Sequence, residues 1–125
     1  MRSTVRTDQA PAAIGPYSQA ILANDTLYCS GQIAIEPDSG VLVTSSIEAE
    51  TELVLENLGA VLRSVQMSFE NVVRCAVYLT DMNDYAVVNE VYARYFREDP
   101  PARQTVAVQA LPRGARVEIS CIALR

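Results

Sequence analysis

The sequence predicts an α+β fold: a mixed β-sheet with two helices packed on one of its faces. Three observations lead there. Two segments carry apolar residues at helical spacing, and several shorter ones alternate as strands do. The elements follow one another as hairpin, strand, helix, strand, helix, strand, strand, which is not the regular alternation of a parallel α/β protein. The chain has 125 residues, half of them apolar, so one domain spanning 1–125 with a real core is expected.

Taken in order, residues 1–20 begin as a polar arm and reach Pro11, Gly15 and Pro16, which keep this stretch out of helix and out of a central strand. An ordered loop ending near Tyr17 is expected. Ala20–Ala23 and Thr26–Ile33, joined at Asn24-Asp25, read as a hairpin. Glu36-Pro37-Asp38-Ser39-Gly40 is a turn, and Val41–Val43 reads as a short strand after it. Ser45 with Glu48 has capping-box spacing and opens a helix. Its inner stripe is Ile47, Thr51, Val54, Leu58, Val61, Leu62 and Val65, and Glu48, Glu50, Glu52 and Glu56 read as its solvated face.

In the strand 72–80, Val73, Cys75, Val77 and Leu79 form the apolar side. Asp81 to Asp84 offer N-caps for a second helix, whose stripe of Tyr85, Val88, Val91, Tyr92, Tyr95 and Phe96 reads as core. Pro100-Pro101 stops it. Strands 104–110 and 116–124 follow, the second with Val117, Ile119, Cys121 and Ala123 inward. The opposite sheet face is rich in Val, Ala, Ile and Leu, so self-association is expected to cover it.

Composition excludes several chemistries. There is no histidine, which removes the Ser-His-Asp triad and imidazole metal ligands. All ten basic residues are arginines, so lysine Schiff bases and the Walker lysine are absent as well. Cys29, Cys75 and Cys121 lack disulfide or zinc spacing and read as small buried apolar residues, so no metal is expected. The net charge of −5, with dispersed arginines, makes nucleic acid an improbable partner. The stretch Met1–Arg6 is too polar for a signal peptide. No apolar run reaches the roughly 18 residues of a membrane span, so a soluble cytoplasmic protein is expected.

Chemistry therefore rests on Arg, Asp/Glu, Tyr, Ser/Thr, Cys or backbone groups. Arg103, at the mouth of a strand, is either a bidentate carboxylate clamp or a solvated charge at a loop–strand junction. Glu118 is a carboxylate embedded in an apolar strand, or simply the exposed side of it. Ser30-Gly31 is a place of close approach for a ligand, or a strand-end bend. Tyr17 is a site hydroxyl or a packing residue, and Asn89 is the polar group beside the aromatic stripe.

Several motifs in fixed order carry a resemblance over essentially the whole chain: residues 10–20 (Ala-Pro-Ala-Ala-Ile-Gly-Pro-Tyr-Ser-Gln-Ala), Ser30-Gly31-Gln32, the stretch 77–82, Val88-Asn89-Glu90-Val91-Tyr92 with Phe96, Pro101-Ala102-Arg103, and Leu111-Pro112 with Val117-Glu118-Ile119. The chain resembles the Rid (YjgF) family of reactive-intermediate deaminases. The resemblance implies a chorismate-mutase-like fold and a homotrimer with sites between subunits. It also implies cofactor-free and metal-free hydrolysis of 2-imino or 2-enamino acids, such as 2-aminoacrylate/2-iminopropanoate and 2-iminobutanoate, to 2-keto acids and ammonia. On the matching positions it implies Arg103 as carboxylate clamp, Glu118 as the acid orienting water, and Tyr17 and Ser30 as wall hydroxyls. Gly31 and the Thr105 N–H would approach the bound acid, with Asn89 near the cleft. Thr105 stands where many members have cysteine and Gln104 where a small residue is common, which leaves the preferred imine open. Two rival roles share the resemblance: a keto-acid binding module without turnover, and an RNA-directed translation inhibitor or endoribonuclease.

Overall fold

A computed structural model describes residues 1–125. Six strands form one sheet: β1 (Arg2–Val5), β2 (Ala20–Ala23), β3 (Thr26–Gln32), β4 (Val72–Leu79), β5 (Ala102–Ala107) and β6 (Val117–Leu124). Their spatial order is β1-β2-β3-β6-β4-β5, all pairs antiparallel except β4–β5. Helices α1 (Ile47–Ser64) and α2 (Tyr85–Tyr95) form a second layer. The expected α+β architecture is what forms.

The core lies between sheet and helices. Leu55, Leu58 and Leu62 of α1 and Val88 and Val91 of α2 meet Val77, Leu79, Val117 and Ile119 of the central strands, all fully buried. Truncating any one of these leucines to alanine removes about 2–5 kcal/mol, because a close-packed interior refills a void poorly. The cysteines behave as predicted: all three are buried and free, and they form a row across the sheet, with Cys29 opposite Cys121 and Cys121 opposite Cys75.

Several local expectations are corrected. The arm at Arg2–Val5 is a strand, pairing from Arg2↔Ala23 to Val5↔Ala20; as an edge strand it buries only Val5, so alternation in its sequence carries no signal. Val41–Val43 is not a strand and contributes one isolated bridge, Ile35↔Leu42. Ser46, not Ser45, caps α1: its extended backbone lets Oγ accept from the Ala49 N–H at 3.0 Å, so Glu48 falls outside the capping box. A bulge between Val72 and Arg74 turns Val72 inward and leaves Val73 exposed, since one extra residue shifts the two-residue period. Strand β5 starts two residues earlier and ends three earlier than the alternation suggests.

The largest correction concerns Glu50, which is fully buried rather than solvated. It accepts from the backbone N–H of Arg116 and from Arg116 Nε, both at 2.7 Å, while Arg116 Nη2 donates to the Thr44 carbonyl at 3.1 Å. A buried carboxylate needs such partners to remain inside. The pair fixes the start of β6, the strand that carries Glu118. Glu48 is exposed as expected and Glu52 half-buried, and they bind Arg94 of α2 at 2.8 and 3.1 Å.

Candidate functional site

The loop before β2 is built by Gln19, a buried side chain that satisfies the backbone around it. Its Oε1 accepts from Thr7 N–H at 2.7 Å, and its Nε2 donates to the carbonyls of Thr7 and Pro11 at 3.1 and 2.8 Å. Ser30 secures the other side: its N–H donates to the Gln19 carbonyl at 3.0 Å and its hydroxyl to the Ser18 carbonyl at 2.6 Å. The Ser30 proton is thus spent on holding the loop, and only its oxygen lone pairs face the cleft. Tyr17, between these anchors, is exposed, with its hydroxyl accepting weakly from Ile14 N–H at 3.4 Å.

This loop, the end of β3 and the start of β6 enclose a cleft of about 550 Å³ holding Tyr17, Ser30, Gly31, Arg113 and Glu118. The register of β3 on β6 slips between Cys29 and Gln32, which bends the strand at Ser30-Gly31. The Glu118 carboxylate packs directly on Gly31: a Cβ added there would lie 2.6 Å from Oε2 and 2.7 Å from Cδ. Burial holds the Glu118 carboxyl above its ordinary range, because the charged form loses water without a compensating cation.

Arg103, Asn89 and Thr105 lie elsewhere. Arg103 on β5 pairs with buried Cys75 of β4, and Thr105 pairs with buried Val77, so both point toward the helix layer. Glu118 pairs with Tyr78 on the opposite, open face of the sheet. The guanidinium of Arg103 sits over the Tyr92 ring, with Cζ 4.8 Å from its centroid, and 5.7 Å from that of Tyr85. Nη2 donates to the Tyr85 hydroxyl at 3.2 Å. Arg103 has no carboxylate partner, unlike Arg94 and Arg116. Around it, Asn89 Oδ1, Tyr92 Oη and Thr105 Oγ1 are buried without hydrogen bonds. Burial pushes the Tyr92 hydroxyl, with the Cys75 thiol beside it, far up from its ordinary value.

The predicted residues therefore form two groups in one chain. Tyr17, Ser30, Gly31 and Glu118 share the cleft, while Arg103, Asn89 and Thr105 share the β5 edge under α2. Tyr85, expected in the core stripe, is instead half-exposed and bound to Arg103. The signal was its spacing: Tyr85 and Asn89 are one helical turn apart and share a face. Arg113, also unforeseen as a site residue, adopts the left-handed φ of +60° and donates from Nη1 to the Gly40 carbonyl at 3.2 Å.

No cluster of His, Cys, Asp and Glu has metal-holding geometry, and no helix is long and apolar enough to cross a membrane. Residues 7–125 match the family model described as endoribonuclease L-PSP. A mouse protein named 2-iminobutanoate/2-iminopropanoate deaminase is 48% identical, with 100% of this chain and 93% of that one aligned. The structure of a Rid-family protein of unknown function from Yersinia pestis is 47% identical and superposes with a TM-score of 0.95, covering 100% of both chains. TdcF of E. coli, solved with bound serine, is 35% identical with a TM-score of 0.94, covering 98% of both chains. By sequence and by fold, this chain belongs to the Rid (YjgF) family.

Proposed function

We propose that this protein hydrolyses 2-imino and 2-enamino acids, among them 2-iminopropanoate and 2-iminobutanoate, to 2-keto acids and ammonia. The observation that carries the reading is Arg103: a partly buried guanidinium resting on an aromatic ring, lacking a carboxylate partner and ringed by unpartnered polar atoms. Such a group is set up to receive a small carboxylate. The family relatives named as deaminases of such acids support the same substrate class.

The two groups of residues would complete one another across subunits. The open sheet face presents Tyr28 and Leu124, both exposed, beside half-buried Ile122 and Tyr78. Covering it with further copies would bring the Glu118 cleft of one chain to the Arg103 edge of the next, in a homotrimer. Light scattering is expected to give three times the 13.7 kDa of one chain; a monomer at micromolar concentration would refute the assembly.

In the mechanism, Arg103 holds the carboxylate by its planar fork and fixes the imine carbon. Glu118, made more basic by burial, takes a proton from a water as that water's oxygen bonds to the carbon. The resulting carbinolamine takes that proton from Glu118 on nitrogen, the C–N bond breaks as the carbinolamine hydroxyl gives its own proton back to the Glu118 carboxylate, and the ketone forms as ammonia leaves and carries that proton away as ammonium. Such acid–base assistance supplies roughly 10²- to 10⁴-fold. Because free imines already react with water, this suffices. The test couples threonine or serine dehydratase to semicarbazide trapping. Wild-type protein should suppress semicarbazone formation, and Arg103→Ala and Arg103→Lys should both fail, since an ammonium lacks the fork. A fully active lysine variant would defeat the account.

A second reading is binding without turnover, favoured by the relative solved with serine bound. It predicts keto-acid binding with no change in semicarbazone yield. The endoribonuclease description of the family model is the third; net charge −5 and the absence of histidine and lysine weigh against it.

A further inference from the structure

The mechanism above leaves Tyr85 without a role. It opens α2 beside Arg103, and its hydroxyl oxygen accepts from Arg103 Nη2 at 3.2 Å. Asn89 lies one turn on, on the same face of α2. A phenol oxygen that accepts from the guanidinium keeps its own proton free to donate elsewhere. Tyr85 is 38% exposed, so that O–H can reach a ligand arriving at the arginine. The Asn89 side chain and the Arg103 guanidinium beside it also pull the Tyr85 hydroxyl below its ordinary pKa, which strengthens it as a hydrogen-bond donor. The neighbouring groups point the same way: Tyr92, buried to 6% exposure, forms the floor under the guanidinium, and Asn89 Oδ1 and Thr105 Oγ1 are left unpaired around it.

We propose that Tyr85 is a substrate-binding residue that donates its hydroxyl proton to the carboxylate held by Arg103, so that the anion site is an arginine–tyrosine pair. This rests on the reading that Arg103 holds the substrate carboxylate. The geometry permits it: a carboxylate oxygen about 2.8 Å from Nη2 comes within reach of a hydroxyl 3.2 Å from the same nitrogen. Two donors of different kinds on one oxygen also distinguish a carboxylate from an uncharged analogue, because the second bond is strong only to a charged acceptor.

The test uses 2-ketobutyrate and its uncharged amide, 2-ketobutyramide, titrated by calorimetry into wild type, Tyr85→Phe and Arg103→Lys. Tyr85→Phe keeps the ring against Arg103 and removes only the hydroxyl. It should weaken 2-ketobutyrate about tenfold, as expected for a partly exposed hydrogen bond to a charged group, and change the amide less than about twofold. In turnover, KM should rise about as much, with kcat nearly unchanged, as for a contact made equally in ground and transition states. Equal weakening of both ligands would mean that Tyr85 only shapes the pocket, and unchanged 2-ketobutyrate binding would mean that its hydroxyl is idle; either overturns the proposal. If Arg103→Lys loses 2-ketobutyrate while Tyr85→Phe does not, only the tyrosine assignment falls. If Arg103→Lys also binds as wild type does, or wild type does not bind the keto acid, the carboxylate reading falls with it.

Discussion

Substituting Gly31 by alanine tests the position of Glu118 without touching it. The backbone at Gly31 lies outside the left-handed region, so alanine fits its conformation. What it meets is the carboxylate: the new Cβ would stand 2.6 Å from Oε2, 2.7 Å from Cδ and 3.0 Å from Cγ of Glu118. Carbon contacts of this kind settle near 3.5 Å or beyond, so the carboxylate must retreat by about 1 Å. It is the free end of a flexible side chain, and retreat disturbs little of the core. Stability should therefore change by less than about 1 kcal/mol. A displacement of about 1 Å at a reacting group costs on the order of 100-fold, within the span that acid–base catalysis contributes. The assay is kcat/KM in the dehydratase-coupled trap, with a thermal melt as control. Introduced into Glu118→Gln, the same alanine should add almost nothing, because both changes remove one function. Activity within threefold of wild type, with an intact melt, would show that the Glu118 carboxylate does not act where Gly31 holds it.

Other expectations follow from single contacts. Burial raises the Glu118 carboxyl above the 4.5 of a free glutamate, so its ionisation costs folding stability as pH rises through the folded value, and the cost vanishes below the unfolded one. Glu118→Gln should melt above wild type at pH 8, the gap closing as pH falls toward 4.5, while turnover is lost. Arg116→Leu leaves Glu50 charged inside the molecule and should cost about 3–5 kcal/mol in urea unfolding; a loss near zero would show that Glu50 is not held as an ion. Ser46→Ala should remove about 1 kcal/mol of stability by the same measure and Ser45→Ala only a few tenths, since only Ser46 accepts from the helix N-terminus.

What was legible in the sequence followed from periodicity. The stripe of α1 from Val54 to Leu62 and the inward side of β6 from Val117 to Ala123 are regular and fully buried, so alternation and helical spacing read them directly. Where the reading failed, a nonlocal partner decided. Nothing within α1 distinguishes Glu50 from Glu48 or Glu52; Arg116, far along the chain, draws it inside. Nothing in Arg2–Val5 announces a strand, because it is β2 that supplies the ladder. The bulge at Val72–Arg74 depends on pairing with β6 and inverts one residue of the predicted face. The candidate site residues stand out by type and by motif order, but their division between two faces of the sheet could not be read, since that depends on which strand lies beside which.

That division has a physical reason. In the proposed roles, Glu118 has to lose water to become basic and Arg103 has to keep donors free to bind an anion. Placed side chain to side chain in one chain, the two would form a salt bridge, which lowers the carboxyl pKa and fills the fork. Setting them on opposite faces of the sheet, with β4 between their strands, prevents that pairing while the chain is alone. In the proposed assembly, each would meet the other only where a second copy covers the open face. The order β3-β6-β4-β5 keeps Glu118 and Arg103 apart within the chain, so that in the proposed reaction the carboxylate the arginine receives is the substrate's and not the protein's own.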